Sequence, residues 1–130
     1  MDDLINAAKA ARAMAHAPYS KFYVGAAMRD EQGRVFGGCN IENAAYPQGW
    51  CAEPSAIAGL VAAGGKRVTE VVVMGNGETL CTPCGGCRQK IREFAYGDVK
   101  IHCCTEGGVL IRTFTLEELL PFSFGPENLA

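Results

Sequence analysis

The chain has 130 residues, the length of one ordinary domain, and residues 1–130 are expected to form a single unit. Hydrophobic residues make up 48% of it and charged residues 20%, which excludes a disordered or fibrous chain. Twelve Lys plus Arg against fourteen Asp plus Glu give a net charge of -2, so no broad field draws it to phosphate backbones or anionic membranes.

The chain starts Met1-Asp2-Asp3, and Lys9 and Arg12 break up the alanines that follow, which is not the pattern of a signal peptide. Leu4, Ala8, Ala11 and Ala15 recur at helical spacing, predicting a helix over Leu4–Ala15 that stops before Pro18. Phe22–Met28 and Arg34–Gly38 read as two strands joined by the polar turn Asp30-Glu31-Gln32-Gly33. Ala44–Trp50, with Pro47 and Gly49, reads as loop. A second helix is expected from Cys51 to Gly64-Gly65, with Pro54 tolerated in its first turn and its Leu, Val and Ala positions in the core. Its weakly polar stretch Ser55–Ala63 is far too short to cross a bilayer.

Val68–Met74 has the valine-rich pattern of a strand covered on both faces. Cys84–Ala95 predicts a third helix, and Val99–Cys104 and Val109–Phe114 two more strands. Thr115, followed by Glu117-Glu118, marks a short capped helix. Helices alternating with strands predict an α/β fold with the sheet between helical layers.

The seven cysteines are Cys39, Cys51, Cys81, Cys84, Cys87, Cys103 and Cys104. An odd number without an export signal argues for a reducing compartment, expected to be the cytoplasm, where cysteines bind metal or do chemistry. Cys51-Ala52-Glu53 opens one predicted helix and Pro83-Cys84-Gly85-Gly86-Cys87 another. Helix N-termini favour thiolates, and three of them would give Zn²⁺ three protein ligands with the fourth tetrahedral position left for water. A carboxylate beside such a water can move protons, and Glu53 is placed for it.

Other readings of the same cysteines weigh less. Cys81-x-x-Cys84-x-x-Cys87 starts like an iron–sulfur run, but Ile91 stands where that pattern needs its fourth cysteine. A redox pair leaves Cys51 and Glu53 unexplained. A closed structural zinc site, with Cys81 as fourth ligand, would be preferred for a lone Cys-x-x-Cys; the added Cys-Ala-Glu favours catalysis.

Cys-x-Glu followed by Pro-Cys-x-x-Cys is the zinc deaminase signature. The chain resembles the small cytidine deaminases over nearly its whole length. The resemblance is carried by Ala17-Pro18-Tyr19-Ser20-Lys21-Phe22, Gly38-Cys39-Asn40-Ile41-Glu42-Asn43-Ala44-Ala45-Tyr46, Cys51-Ala52-Glu53, Pro83-Cys84-Gly85-Gly86-Cys87-Arg88-Gln89 and Glu117-Glu118-Leu119-Leu120-Pro121. It implies a three-layer α/β/α sandwich with a five-stranded mixed sheet, one Zn²⁺ per subunit held by Cys51, Cys84 and Cys87, and Glu53 as proton shuttle in converting cytidine to uridine. It further implies that Asn40 and Glu42 bind the sugar, that groups around Ala52 hold the base and that Phe22 lines the base pocket. Ala44, Tyr46 and Phe124 are implied to serve sites shared between the subunits of a homotetramer. A nucleoside is the implied partner, with no nucleic acid and no membrane; Glu42 would repel a phosphate.

One departure from the family pattern is Pro54-Ser55, where Arg-Thr usually follows the catalytic Glu. That arginine offsets the negative charge of three thiolates on zinc, and Arg88, the helix N-termini and backbone N–H groups are expected to compensate for its absence. The blasticidin S deaminases share the core, so a modified cytosine nucleoside is the second candidate substrate. A zinc-stabilised interaction domain without activity is the candidate from another class. Cys39 and Cys81 are expected as spare thiols near the site, one of Cys103 and Cys104 as a buried thiol, and His16 and His102 in surface or core roles.

Overall fold

A computed structural model describes residues 1–130. Its helices are α1 (Asp2–Arg12), α2 (Ala52–Ala62), α3 (Gly85–Arg92) and the single turn α4 (Leu116–Leu119). Its strands are β1 (Gly25–Asp30), β2 (Val35–Cys39), β3 (Val68–Met74), β4 (Lys100–Cys104) and β5 (Leu110–Thr115). They form one sheet in the order β2-β1-β3-β4-β5, with only β3 and β4 parallel, so the sheet is mixed. No helix is long and apolar enough to cross a membrane.

The alternation along β3 divides the interior in two. Val71 and Val73 join Met28, Ile101 and Cys103 under Ala56, Ile57 and Leu60 of α2 and Ile91 of α3. Val72 and Met74 point the other way, meeting Ala27, Cys104 and Leu4 and Ala8 of α1. The sheet is therefore sandwiched, as expected, with α1 on one face and α2 and α3 on the other. Away from α1, its face of the sheet turns polar. The buried His102 ring there bonds Thr113 Oγ1 at 2.8 Å and Glu70 Oε2 at 2.7 Å, which gives this histidine a satisfied interior role.

Several boundaries move from the sequence expectation. α1 ends at Arg12 rather than Ala15, because the amides of Met14 and Ala15 reach back only three residues, to Ala11 and Arg12. β1 begins at Gly25 rather than Phe22. The amides of Phe22, Tyr23 and Val24 are taken by the side chains of Ser20, Asn76 and Asn40 instead of by a neighbouring strand. α3 ends at Arg92, three residues early, where Phe94 N–H donates to Ile91 O. The expected core character of α2 holds for one side only: Ala58, Val61 and Ala62 face outward beside the exposed Trp50. Thr115 caps α4 as expected, accepting from Glu118 N–H while the Glu118 carboxylate accepts from Thr115 N–H.

Candidate active site

Strand directions bring two helix starts together. β1 is antiparallel to both β2 and β3, so β2 and β3 run the same way. α2 leads from the end of β2 to the start of β3, and α3 from the end of β3 to the start of the parallel β4. Both helices lie on one face, so both begin at the same end of the sheet, outside the carboxyl ends of β2 and β3. Cys51 is the N-cap of α2 and Cys84 the N-cap of α3, both in extended backbone, and Cys87 lies in the first turn of α3. A close approach seats α2: a Cβ on Gly38 of β2 would lie 2.4 Å from Ala56 N and 2.5 Å from Ala52 O. Only glycine lets the helix rest this near the strand.

The Sγ atoms of Cys51, Cys84 and Cys87 lie within 4.8 Å of one another, and those of Cys84 and Cys87 are 3.4 Å apart. Three sulfurs around a tetrahedral Zn²⁺ stand about 3.8 Å apart, so small side-chain adjustments fit the set to the ion. Three soft thiolate donors suit zinc, and no fourth ligating side chain joins the group. Glu53, in the first turn of α2, is 4% exposed.

Charge at this point is poorly solvated. Burial pushes the Glu53 carboxyl up, against the pull of its own backbone amide, the Cys87 thiol and the Lys90 charge. Burial also raises Cys51 and Cys87, and the Glu53 charge adds to both. At Cys84 burial acts the same way, but the Cys87 amide and the neighbouring thiols outweigh it and leave this thiol lowered. Arg88, one of the groups expected to compensate for the cation missing at Pro54, spends its guanidinium elsewhere. It donates to Pro83 O at 2.7 Å, Leu119 O at 2.7 Å and Thr82 Oγ1 at 3.0 Å, bracing the turn that leads into Cys84.

A cavity of about 260 Å³ opens over the thiols and contains Phe22, Asn40, Glu42, Ala52 and Glu53 in its walls. Asn40 is locked between Phe22 O, to which Nδ2 donates at 2.8 Å, and Val24 N–H, from which Oδ1 accepts at 2.9 Å. One amide hydrogen and one lone pair remain for a ligand. Glu42 Oε1 accepts from the amides of Tyr19 and Ser20, at 3.0 and 3.1 Å, and Oε2 accepts from the Ser20 hydroxyl. The Ser20 hydroxyl and these amides hold the Glu42 carboxyl below its ordinary value.

Tyr46 lies outside this cavity, in an adjoining one of about 400 Å³ that shares Ser20 and Glu42. Its ring meets that of Tyr19 edge-on, with centroids 6.1 Å apart. Ala44 and Phe124 line neither cavity, and Phe124 is 56% exposed. Ser20 also lines the cavity, a place the sequence signals only by its position two residues before Phe22 in the Tyr19-Ser20-Lys21-Phe22 run. Cys81 and Thr82 also reach the cavity, whereas Cys39 does not.

The model of the cytidine and deoxycytidylate deaminase zinc-binding region matches residues 2–103. The chain belongs to this family. It is 40% identical over 130 residues to the cytidine deaminase of Sporosarcina psychrophila, covering 100% of this chain and 95% of that protein. It is 37% identical over 124 residues to the cytidine deaminase of Mycobacterium tuberculosis, covering 95% and 88%. The crystal structure of the cytidine deaminase from Burkholderia pseudomallei superposes with a TM-score of 0.87 at 40% identity, over 95% of this chain and 98% of that one. The cytidine deaminase structure from Mycobacterium leprae gives 0.79 at 42% identity, over 92% and 96%.

Proposed function

We propose that this protein hydrolyses the exocyclic amine of cytidine and deoxycytidine, giving uridine or deoxyuridine and ammonia. The observation that carries this reading is a buried carboxyl, Glu53, beside three thiols that leave a metal one ligand short, all lining one cavity of about 260 Å³. Bound zinc supplies Lewis acidity, which brings the pKa of water near neutrality. Glu53 takes a proton from the attacking water as it adds to C4 of the base and passes it to the ring nitrogen, where it stays in the product; it then takes the proton of the new C4 hydroxyl and passes it to the amine, which departs as ammonia as the C4 carbonyl forms. Burial suits this work, because a carboxyl with a raised proton affinity is better able to hold a proton between transfers.

Around this centre, Phe22 walls the base, backbone groups at Ala52 meet its edge, and Asn40 and Glu42 hold the ribose through the capacity their structural bonds leave free. The Glu42 carboxylate disfavours a phosphate nearby, which selects nucleosides over nucleotides and polynucleotides. Ala44, Tyr46 and Phe124, outside the cavity of their own chain, serve the site of a neighbouring copy in a homotetramer. Association is supported by the outward apolar surface of Trp50, Ala58 and Val61 around a cavity of about 400 Å³. The setting is pyrimidine salvage in the cytoplasm.

The test compares cytidine, deoxycytidine, their monophosphates and blasticidin S as substrates, for wild type and Glu53→Gln, with bound zinc measured in each. The expected result is nucleoside turnover that falls by about 10²–10⁴-fold or more in Glu53→Gln while zinc stays bound. Turnover unchanged by that substitution would sink the proton-shuttle assignment, and turnover of blasticidin S alone would move the substrate to a modified cytosine nucleoside.

A further inference from the structure

The chain beyond α4 contains no strand and one 3₁₀ turn, Pro126–Asn128, yet α3 grips it firmly. Arg88 Nη1 donates to the last carbonyl of α4, Leu119 O, at 2.7 Å, and beyond it Gln89 Nε2 donates to Phe124 O at 3.0 Å. Arg92 Nε donates to Ser123 Oγ at 3.0 Å and its Nη2 to Glu127 Oε1 at 2.9 Å. Between these two contacts the strap lies flat on the guanidinium. A Cβ on Gly125 would stand 2.4 Å from Arg92 Nη2, 2.5 Å from Cζ and 2.6 Å from Nη1, so a side chain at the buried Gly125 would displace the guanidinium from its seat.

The helix that begins with Cys84 and carries Cys87 thus also fixes the backbone on both sides of Phe124, while the Phe124 ring stands 56% exposed. An exposed aromatic ring on a pinned backbone is arranged for a surface that the chain does not itself provide.

We propose that Arg92 is a positioning residue for nucleoside binding: by clamping Ser123, Gly125 and Glu127 it holds Phe124 ready to form part of the base pocket of a neighbouring copy. The inference rests on the reading of Phe124 given above and adds the device that orients it. An ordered ring enters the complex without first losing its conformational freedom, so release of the clamp weakens binding and leaves the chemical step alone. Arg92 touches neither substrate nor the thiols and acts only through the strap.

Steady-state cytidine kinetics of four single variants and one double variant, each with its zinc content, test this. Loss of base–aromatic stacking in Phe124→Ala is expected to raise KM about 5- to 100-fold, with kcat within about twofold. Arg92→Ala is expected to reproduce a large part of that KM rise. Gly125→Ala, which keeps the charge and separates the guanidinium from the strap, does the same and stands in if Arg92→Ala fails to fold. Arg92→Lys falls between, since an ammonium can meet Glu127 but cannot form the flat two-sided clamp. The double variant Arg92→Ala/Phe124→Ala is expected to bind no worse than Phe124→Ala alone. If Phe124→Ala raises KM while Arg92→Ala and Gly125→Ala do not, or if the Arg92 effect adds in full to that of Phe124, the clamp is refuted and the role of Phe124 stands. If Phe124→Ala leaves KM unchanged, the underlying reading of Phe124 fails and takes the inference with it.

Discussion

Gly38→Ala puts the placement of the site to a direct test. The new methyl would meet Ala56 N at 2.4 Å, Ala52 O at 2.5 Å and Ser55 C at 2.9 Å, all backbone atoms of α2 with no rotamer to yield. An unstrained separation of about 3.4 Å requires α2 to recede by about 1 Å. Overpacking of this kind costs about 1–3 kcal/mol. A catalytic cost of similar size comes on top of it, because Cys51 and Glu53 ride on the turn that must move. A misplacement of about 1 Å can cost about 100-fold in rate. Gly37→Ala is the internal control. Its methyl points to the opposite face, toward Ala7 O at 3.1 Å and Ala11 Cβ at 3.3 Å, where α1 lies far from the chemistry. Urea denaturation and cytidine turnover, measured on both variants with zinc content, separate the two costs. Gly38→Ala is expected to lose both stability and about 10- to 100-fold in kcat/KM, and Gly37→Ala to keep its kcat/KM. Equal losses of kcat/KM in the two variants, or none in Gly38→Ala, would refute the idea that this contact sets the reacting geometry.

Two further outcomes follow from side chains around the site and the sheet. Arg88→Ala leaves the Pro83 and Leu119 carbonyls without their donor and frees the turn before Cys84, so it is expected to cost about 2 kcal/mol and to speed zinc loss to a chelator; unchanged zinc loss would remove Arg88 from any role at the metal. At Glu70 partial burial pushes the carboxyl up, but the His102 ring and the Arg29 guanidinium more than offset it and leave the pKa lowered. A carboxyl lowered on folding adds stability above its unfolded pKa of about 4.3 and loses it as pH falls through the folded value. The urea midpoints of wild type and Glu70→Gln are therefore expected to differ most above about pH 5 and to converge on further acidification, whereas a gap that widens in acid contradicts the network.

Where sequence and structure agree, a local pattern decided the outcome. Val68–Met74 is a strand to the residue because its run of apolar side chains serves both cores at once. The reciprocal Thr115–Glu118 cap and the two cysteine-bearing helix starts depend on neighbours within a few positions. Agreement fails where partners come from far along the chain. Nothing near Phe22 announces that Asn40 and Asn76 will take the amides of Val24 and Tyr23 and delay β1. His102 had no visible motif because Glu70 and Thr113 sit on the neighbouring strands β3 and β5. The outward placement of Val61 was hidden too, since α2 is apolar all round and its sequence does not show which side meets the sheet.

The protonation of the thiols leads to one more expectation. Burial raises Cys51 and Cys87, so both hold their protons at neutral pH in the absence of a cation. Thiolate, not thiol, binds the metal, and each of these protons must therefore leave when zinc is taken up. The two protons from Cys51 and Cys87 alone make the apparent zinc affinity rise at least about 100-fold for each pH unit. The raised Glu53 adds to the effect if it too ionises on loading, since a cation beside it favours the carboxylate. Competition with a chromophoric chelator between pH 6 and 8 gives the slope directly. Cys51→Ser removes one thiol from the set and is expected to weaken zinc binding and flatten the slope together. A wild-type slope near zero would mean that the thiols are already ionised before metal arrives, and that the two helix N-termini stabilise charge at this point more strongly than burial opposes it.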